Sequence, residues 1–328
     1  MNLTTAVPNP TTNISLQPAD KVLTIGSCFA EVTGSRLQEG GFQVLSNPYG
    51  PLYNPASVFN ALSWAMDEHP IQVHDLVEVQ SVWRHFHFHS DCAELSKEAL
   101  IDKLTKIQRQ VKKQILESKL LIITLGTAFV YYRKSDQQLV GNCHKIPAKA
   151  FDRKMLTIAQ ITSEFEKLLP KIKNLQPDIQ VLFSVSPVRH LKDGAVQNSK
   201  SKAILKLAVD EIVSQHSCCE YFPTFEIMMD ELRDYRYYAD DLTHPSHLAE
   251  EIIYDRFKAT YLSASAQAQV RLVGNLKKAA RHRPFFPQTP EHQKFIRTTL
   301  SKMAALPNHI DLSAEIQSLK AQQEKFLT

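Results

Sequence analysis

No uninterrupted apolar run near 18 residues occurs anywhere in the 328-residue sequence, so nothing in it reads as a membrane span. No C-x-x-C is present, and the five cysteines are odd in number with spacings that do not repeat. Neither a disulfide framework nor a thiolate zinc site is indicated. G-x-G-x-x-G and Walker A sequences are absent too, which removes the usual phosphate cradles and leaves no organic cofactor or metal implied. An excess of charge of one sign is also missing, since 38 basic and 34 acidic residues give +4. A nucleic-acid binder would cluster its cations. The densest basic stretch here, Lys103 to Lys113, recurs at helical spacing and reads as a solvated helix face. The N-terminus, Met1-Asn2-Leu3-Thr4-Thr5, shows no basic segment followed by an apolar one, so the expected location is the cytoplasm.

What is present is an ordinary globular composition, 43% apolar and 22% charged, enough for a large core. An arm with Pro8, Pro10 and Pro18 covers residues 1–20. The core then opens with a strand over Val22–Ile25 ending at Gly26, a helix over about 31–38 stopped by Gly40-Gly41, and a strand over Phe42–Leu45. That is a βαβ unit. Leu100, Leu104, Ile107, Val111 and Ile115 mark an amphipathic helix, and the run Leu120–Leu125 suits a parallel strand buried on both faces. A helix over 158–169, a strand over 179–185, a helix over 202–213 and a strand near 221–227 continue the alternation. A helix over 248–261, N-capped by Ser246, closes a core spanning 21–264. Residues 265–328 read as a helical extension, with Thr289-Pro290 starting one helix and Leu312, Ile316, Leu319 and Phe326 marking another. The tail either packs on the core or pairs two copies into a homo-oligomer, and the pattern does not choose between them.

Ligands of an open parallel sheet bind outside the carboxyl ends of its strands. The residues that follow the expected strands include Ser27, then Asn47 and Gly50, then Thr127, then His190. Asp241 and His244 stand three apart just before the last core helix. Ser27 falls where a strand turns into a helix, so N–H groups of the first helical turn can face a developing oxyanion. A serine hydroxyl needs a base, and the base needs an orienting group. One short loop offers both in Asp241 and His244. His247 is a weaker base candidate, because no Asp lies three before it.

That order resembles the SGNH or GDSL hydrolase superfamily and, more specifically, the GSCFA family. The residues that carry the likeness are Gly26-Ser27-Cys28-Phe29-Ala30, the segment Asn47–Pro55, Asn142-Cys143-His144-Lys145, Ser186-Pro187-Val188-Arg189-His190, Leu232–Arg236 and Asp241–Ser246. The resemblance implies a three-layer α/β/α, flavodoxin-like parallel sheet. It also implies a Ser/Asp/His site that hydrolyses a carboxylic ester, such as an O-acetyl group, of a small molecule or carbohydrate. In that reading Ser27 attacks, His244 is the general base and Asp241 orients it. The backbone N–H groups of Ser27 and Gly50 hold the oxyanion.

Two departures carry consequences. Where the superfamily has Gly-x-Asn after the third strand, this chain has Gly126-Thr127-Ala128, so Thr127, Asn142 or His144 is expected to supply the missing donor. Gly-Ser-Cys also replaces Gly-Asp-Ser, which makes Cys28 a rival nucleophile, although a cysteine is more often buried and inert. His190 is expected at the substrate, and Asn47 at a turn beside it. His85, His87 and His89 would share one face of a strand, fit for zinc, for a cleft wall that includes His89, or for plain surface. An acyltransferase and a non-catalytic binding module are the alternatives to hydrolysis.

Overall fold

A computed structural model describes residues 4–324, so Met1–Leu3 and the Phe326 position of the expected last helix lie outside the described residues. The core opens with β1 (Lys21–Gly26), α1 (Cys28–Glu39), β2 (Gln43–Ser46) and α2 (Pro55–Met66). A hairpin of β3 (Leu76–Val79) and β4 (Val82–His85) precedes α3 (Lys97–Glu117) and β5 (Ser118–Leu125). A small antiparallel sheet follows, built from β6 (Phe129–Arg133), β7 (Leu139–Val140) and β8 (Phe151–Met155). Next come α4 (Ile158–Leu175), β9 (Gln180–Val185), α5 (Gly194–Gln215), β10 (Cys219–Tyr221), the one-turn α6 (Thr224–Glu226) and α7 (His247–Tyr261). The tail is α8 (Ala264–Arg281), α9 (Pro290–Ala304) and α10 (Ser313–Glu324).

The main sheet is parallel throughout, in the order β10-β9-β5-β1-β2. Its central strands are apolar at nearly every position because both faces are covered. Leu23, Ile25, Leu121 and Ile123 pack with α2–α5, whereas Val22, Leu120 and Ile122 pack with α1 and α7. Two apolar layers around one sheet make the three-layer α/β/α architecture expected from the sequence. The arm lies along this core, with Ile14 and Leu16 buried and Leu16 bonded through its backbone to Tyr261 and Ser263. The tail packs on the same chain's core, where Val270 and Val273 of α8 face Gly40 and Gly41. No helix among the described residues is long and apolar enough to cross a membrane.

Three expectations are corrected. The helix placed over 31–38 begins at Cys28, which puts Cys28 rather than a later residue in its first turn. The strand expected near 221–227 ends at Tyr221, and residues 224–231 wind helically instead. Phe222, Ile227 and Met228 are apolar because they bury against the α7 side of the sheet, a demand that a helical turn meets as well as a strand. His85, His87 and His89 do not share a strand face, since β4 stops at His85 and Phe88 N–H closes a turn onto His85 O.

Candidate active site

The carboxyl ends of β1, β5 and β9 open into a cleft of about 370 Å³. Cys28, Thr127 and Val188 line it, together with His190 and His244. Tyr53, Phe129 and Tyr131 make an aromatic side, and Asn54 lies at the head of α2. Arg153, Arg189 and Lys192 line it as well.

Gly26 creates the entry to α1. Its φ of +141° suits glycine, and a Cβ there would come within 2.1 Å of Thr124 O on the neighbouring strand. The chain thus runs tight against β5, and Ser27 N–H donates to Thr124 O at 2.9 Å. Ser27 takes the N-cap position with an extended backbone but makes no side-chain cap bond. It is fully buried, it does not line the cleft, and its Oγ has no hydrogen-bond partner. The expected Ser27 Oγ–His244 hydrogen bond is therefore not formed.

Cys28, one residue on, is half-buried and faces the cleft. The first N–H groups of a helix have no intrahelical acceptor, and those of Cys28 and Phe29 approach the Cys28 sulfur. Burial is the larger influence and pushes the Cys28 thiol up, against those N–H groups and the positive Lys202. The resting group is a neutral thiol.

The His244 imidazole, which lines the same cleft, has a carboxylate partner in place. Asp241 Oδ2 lies 2.6 Å from His244 Nδ1. Its Oδ1 accepts from the backbone N–H groups of Thr243 and His244, both at 2.9 Å. The His244 and Thr243 backbone donors, together with the ring, hold the Asp241 carboxyl far below the usual carboxylate range. With Nδ1–H directed at Asp241, Nε2 of His244 is the nitrogen left to accept a proton.

Lys202 is almost wholly buried, and its Nζ donates to Gly126 O at 2.7 Å and Ser186 O at 2.6 Å. Burial pulls its ammonium down to about 7. It ties together the ends of β5 and β9 on which the cleft rests. The sequence reading missed it, although Asn198, Ser201, Leu205 and Val209 flank it on the buried face of α5. A lysine in such a stripe is the available signal.

Thr127, His190 and His244 of the expected site residues meet in the cleft. The others do not line it, for reasons the structure supplies. Gly50 N–H, a proposed oxyanion donor, is spent on Asn47 O at 2.7 Å, as Ser27 N–H is on Thr124. Asn47 is a buried tie, accepting from Gly26 N–H at 2.9 Å and donating to Ser27 O at 3.2 Å. His89 packs under Gly50. Asn142 Oδ1 accepts from His144 N–H at 2.8 Å, and His144 itself is buried against Ser90 and His85 O. Thr127 shares its hydroxyl with Ser201 and Phe129 N–H. His247 is exposed and faces Glu251 at 3.8 Å. His85 and His87 meet Trp64 edge-on rather than forming a cleft wall, and among the described residues no group of three or more His, Cys, Asp or Glu could hold a metal.

Residues 21–257 match the GSCFA family, and residues 273–325 match the GSCFA domain protein, C-terminal domain. No curated protein matches the sequence. Among solved structures, the chain is similar to a carbohydrate esterase family 3 protein from Talaromyces cellulolyticus. The likeness covers 78% of this chain and 99% of that one, at 8% identity and a TM-score of 0.34.

Proposed function

We propose that this chain, which belongs to the GSCFA family, is an acyl-ester hydrolase that works through Cys28 with the Asp241–His244 pair as its base. The observation that carries the reading is that Cys28 and His244 line one cleft while Asp241 occupies the far nitrogen of the imidazole at 2.6 Å. Ser27, the nucleophile favoured by sequence, is sealed beneath it.

His244 Nε2 takes the thiol proton as the Cys28 sulfur attacks the ester carbonyl. The oxyanion is met by the Cys28 and Phe29 N–H groups in the positive end of α1 and by the Asn54 amide. Collapse breaks the C–O bond, and His244 returns its proton to the departing alcohol. A thioester on Cys28 remains. Water, deprotonated by the same imidazole, attacks it and releases the acid and the free thiol. Asp241 stays ionised and steadies the imidazolium.

The test is a nitrophenyl ester series. Cys28→Ala is expected to lose at least about 10³-fold in turnover, while Ser27→Ala keeps most of it. Iodoacetamide should inactivate the native protein in step with modification of Cys28, whatever the extent of labelling at the part-exposed Cys143 and Cys218. The reverse ranking of the two variants returns the role to Ser27. Wild-type rates no higher than those of the double variant would favour a binding module on this scaffold.

A further inference from the structure

We infer that the cleft selects esters bearing an anionic group, held by Arg189 and Lys192; this rests on the hydrolase reading for the chemistry but not for the binding. Among the described residues lining the cleft there is no carboxylate, whereas Arg189 and Lys192 both face it. Neither has a carboxylate within ion-pair distance among the described residues. Arg189 stands between the cleft and an adjoining recess lined by Met229, Tyr238 and Asp234, the last already paired with Arg236. The Arg189 guanidinium lies 5.2 Å over the Tyr238 ring, with Nη2 3.6 Å from Met229 Sδ, and its backbone N–H reaches Thr243 O at 3.3 Å. That last bond couples it to the loop presenting His244. Asp241, beside His244, already serves the imidazole and two backbone N–H donors. Glu31 and Asp91 are near enough to push the Cys28 thiol and the Tyr53 phenol up, but neither lines the cleft.

Cations with no carboxylate partner among the described residues, in a recess with low-dielectric walls, concentrate anions there. Arginine suits planar carboxylate and also phosphate or sulfate, which it meets with two parallel N–H groups. The aromatic side (Tyr53, Phe129, Tyr131) gives the rest of the molecule an apolar rest. The predicted substrate is thus an ester with a flat or apolar body and a negative group within reach of the scissile carbonyl.

The experiment uses two matched pairs of probes. 4-Acetoxybenzoate against 4-acetoxybenzamide puts the charge on the alcohol side. The mono-phenyl ester of succinate against phenyl butyrate puts it on the acyl side. Binding is measured by calorimetry on Cys28→Ala at low salt, and hydrolysis on the native chain. The anion of at least one pair should bind about tenfold tighter than its neutral twin, the scale of a charge-assisted hydrogen bond. Arg189→Gln and Lys192→Gln together should reduce the preference to within about twofold, and added salt should erode it. Lys192→Gln alone, at an exposed position, guards against misfolding and should give an intermediate loss. Equal or absent binding of both pairs, or a preference that survives the double substitution, overturns the inference. Hydrolysis of neutral esters without anion preference would sink it and leave the enzyme standing. Anion-selective binding without turnover of any ester would do the opposite.

Discussion

Asn54 caps α2 with its side-chain oxygen alone, accepting from Ser57 N–H at 2.8 Å, and so leaves its amide NH2 for the cleft that it lines. Asn54→Ser separates the two roles, because serine caps a helix about as well as asparagine but carries no amide. Turnover of nitrophenyl esters should fall by about 10²- to 10³-fold, the usual cost of one oxyanion donor, with the melting temperature nearly unmoved. Unchanged turnover would remove Asn54 from the site. The sequence expected this donor from Thr127, Asn142 or His144, but Thr127 is engaged with Ser201 and Phe129 N–H, Asn142 accepts from His144 N–H, and the His144 ring meets His85 O. The Ser27/Cys28 choice has the same origin. Ser27 is the extended N-cap and Cys28 opens the helix, so the two side chains leave the chain in different directions and a one-residue difference decides which group is buried. No composition or spacing argument reads that direction; the close approach of Gly26 to Thr124 sets it.

Elements read best where one period dominated. Four of the five parallel strands and the long amphipathic α3 and α4 were legible, since buried runs and 3.6-residue stripes are strong signals, whereas the three-residue β10 was expected too far along the chain. The short β3–β4 hairpin and the β6–β7–β8 sheet were not, because strands of two to five residues with mixed exposure carry little periodicity. Those small sheets nonetheless supply the aromatic cleft wall and an internal titrating cluster. The hairpin brings together Asp75, His85 and His87, and Arg133 of β6 reaches Asp75 at 3.2 Å. Burial pushes the His85 imidazole down to about 3, with the positive charges of His87, His144 and Arg133 acting in the same direction and Asp75 against them. Burial also pulls His144 down. The folded state therefore refuses a proton that the unfolded chain accepts below about pH 6.5, so stability is full above that pH and is lost as pH falls toward 3. Asp75, for which burial is outweighed by His87, His85 and His74, is held at about 2 and adds loss only below the ordinary carboxylate range. Between pH 6.5 and 4.5 the unfolding free energy should drop, His85 contributing at most about 1.4 kcal/mol per pH unit. His85→Asn, whose side-chain oxygen can still accept from His87 N–H, should flatten that slope in urea melts. Parallel slopes for the two proteins would refute the role given to His85.

Across the whole molecule, the cleft and the C-terminal helices beyond the first turns of α8, whose Ala266 belongs to the sheet's own core, are built on separate apolar clusters. Val273, Leu276, Ile296, Met303 and Leu319 bury against one another and share no member with the two clusters on either face of the sheet. The tail meets the core mainly where α8 crosses the Gly40-Gly41 corner, with Gln269 reaching Gly40 O and Gly41 O at 3.5 and 3.4 Å. No residue beyond His244 lines the cleft among those described. Cooperative units follow shared buried surface, so a defect inside the tail cluster should loosen the tail before the sheet. Ile296, fully buried in α9, is the place to introduce it. Ile296→Ala should cost about 2–5 kcal/mol within that cluster, as large-to-small core substitutions do. Amide hydrogen exchange should then accelerate through α9, α10 and the outer turns of α8, while β1, β5 and β9 keep their protection and ester turnover per folded molecule stays the same. Equal acceleration in the central strands would mean that tail and core unfold as one body, and that the helices beyond α7 brace the very sheet on which Cys28 and Lys202 depend.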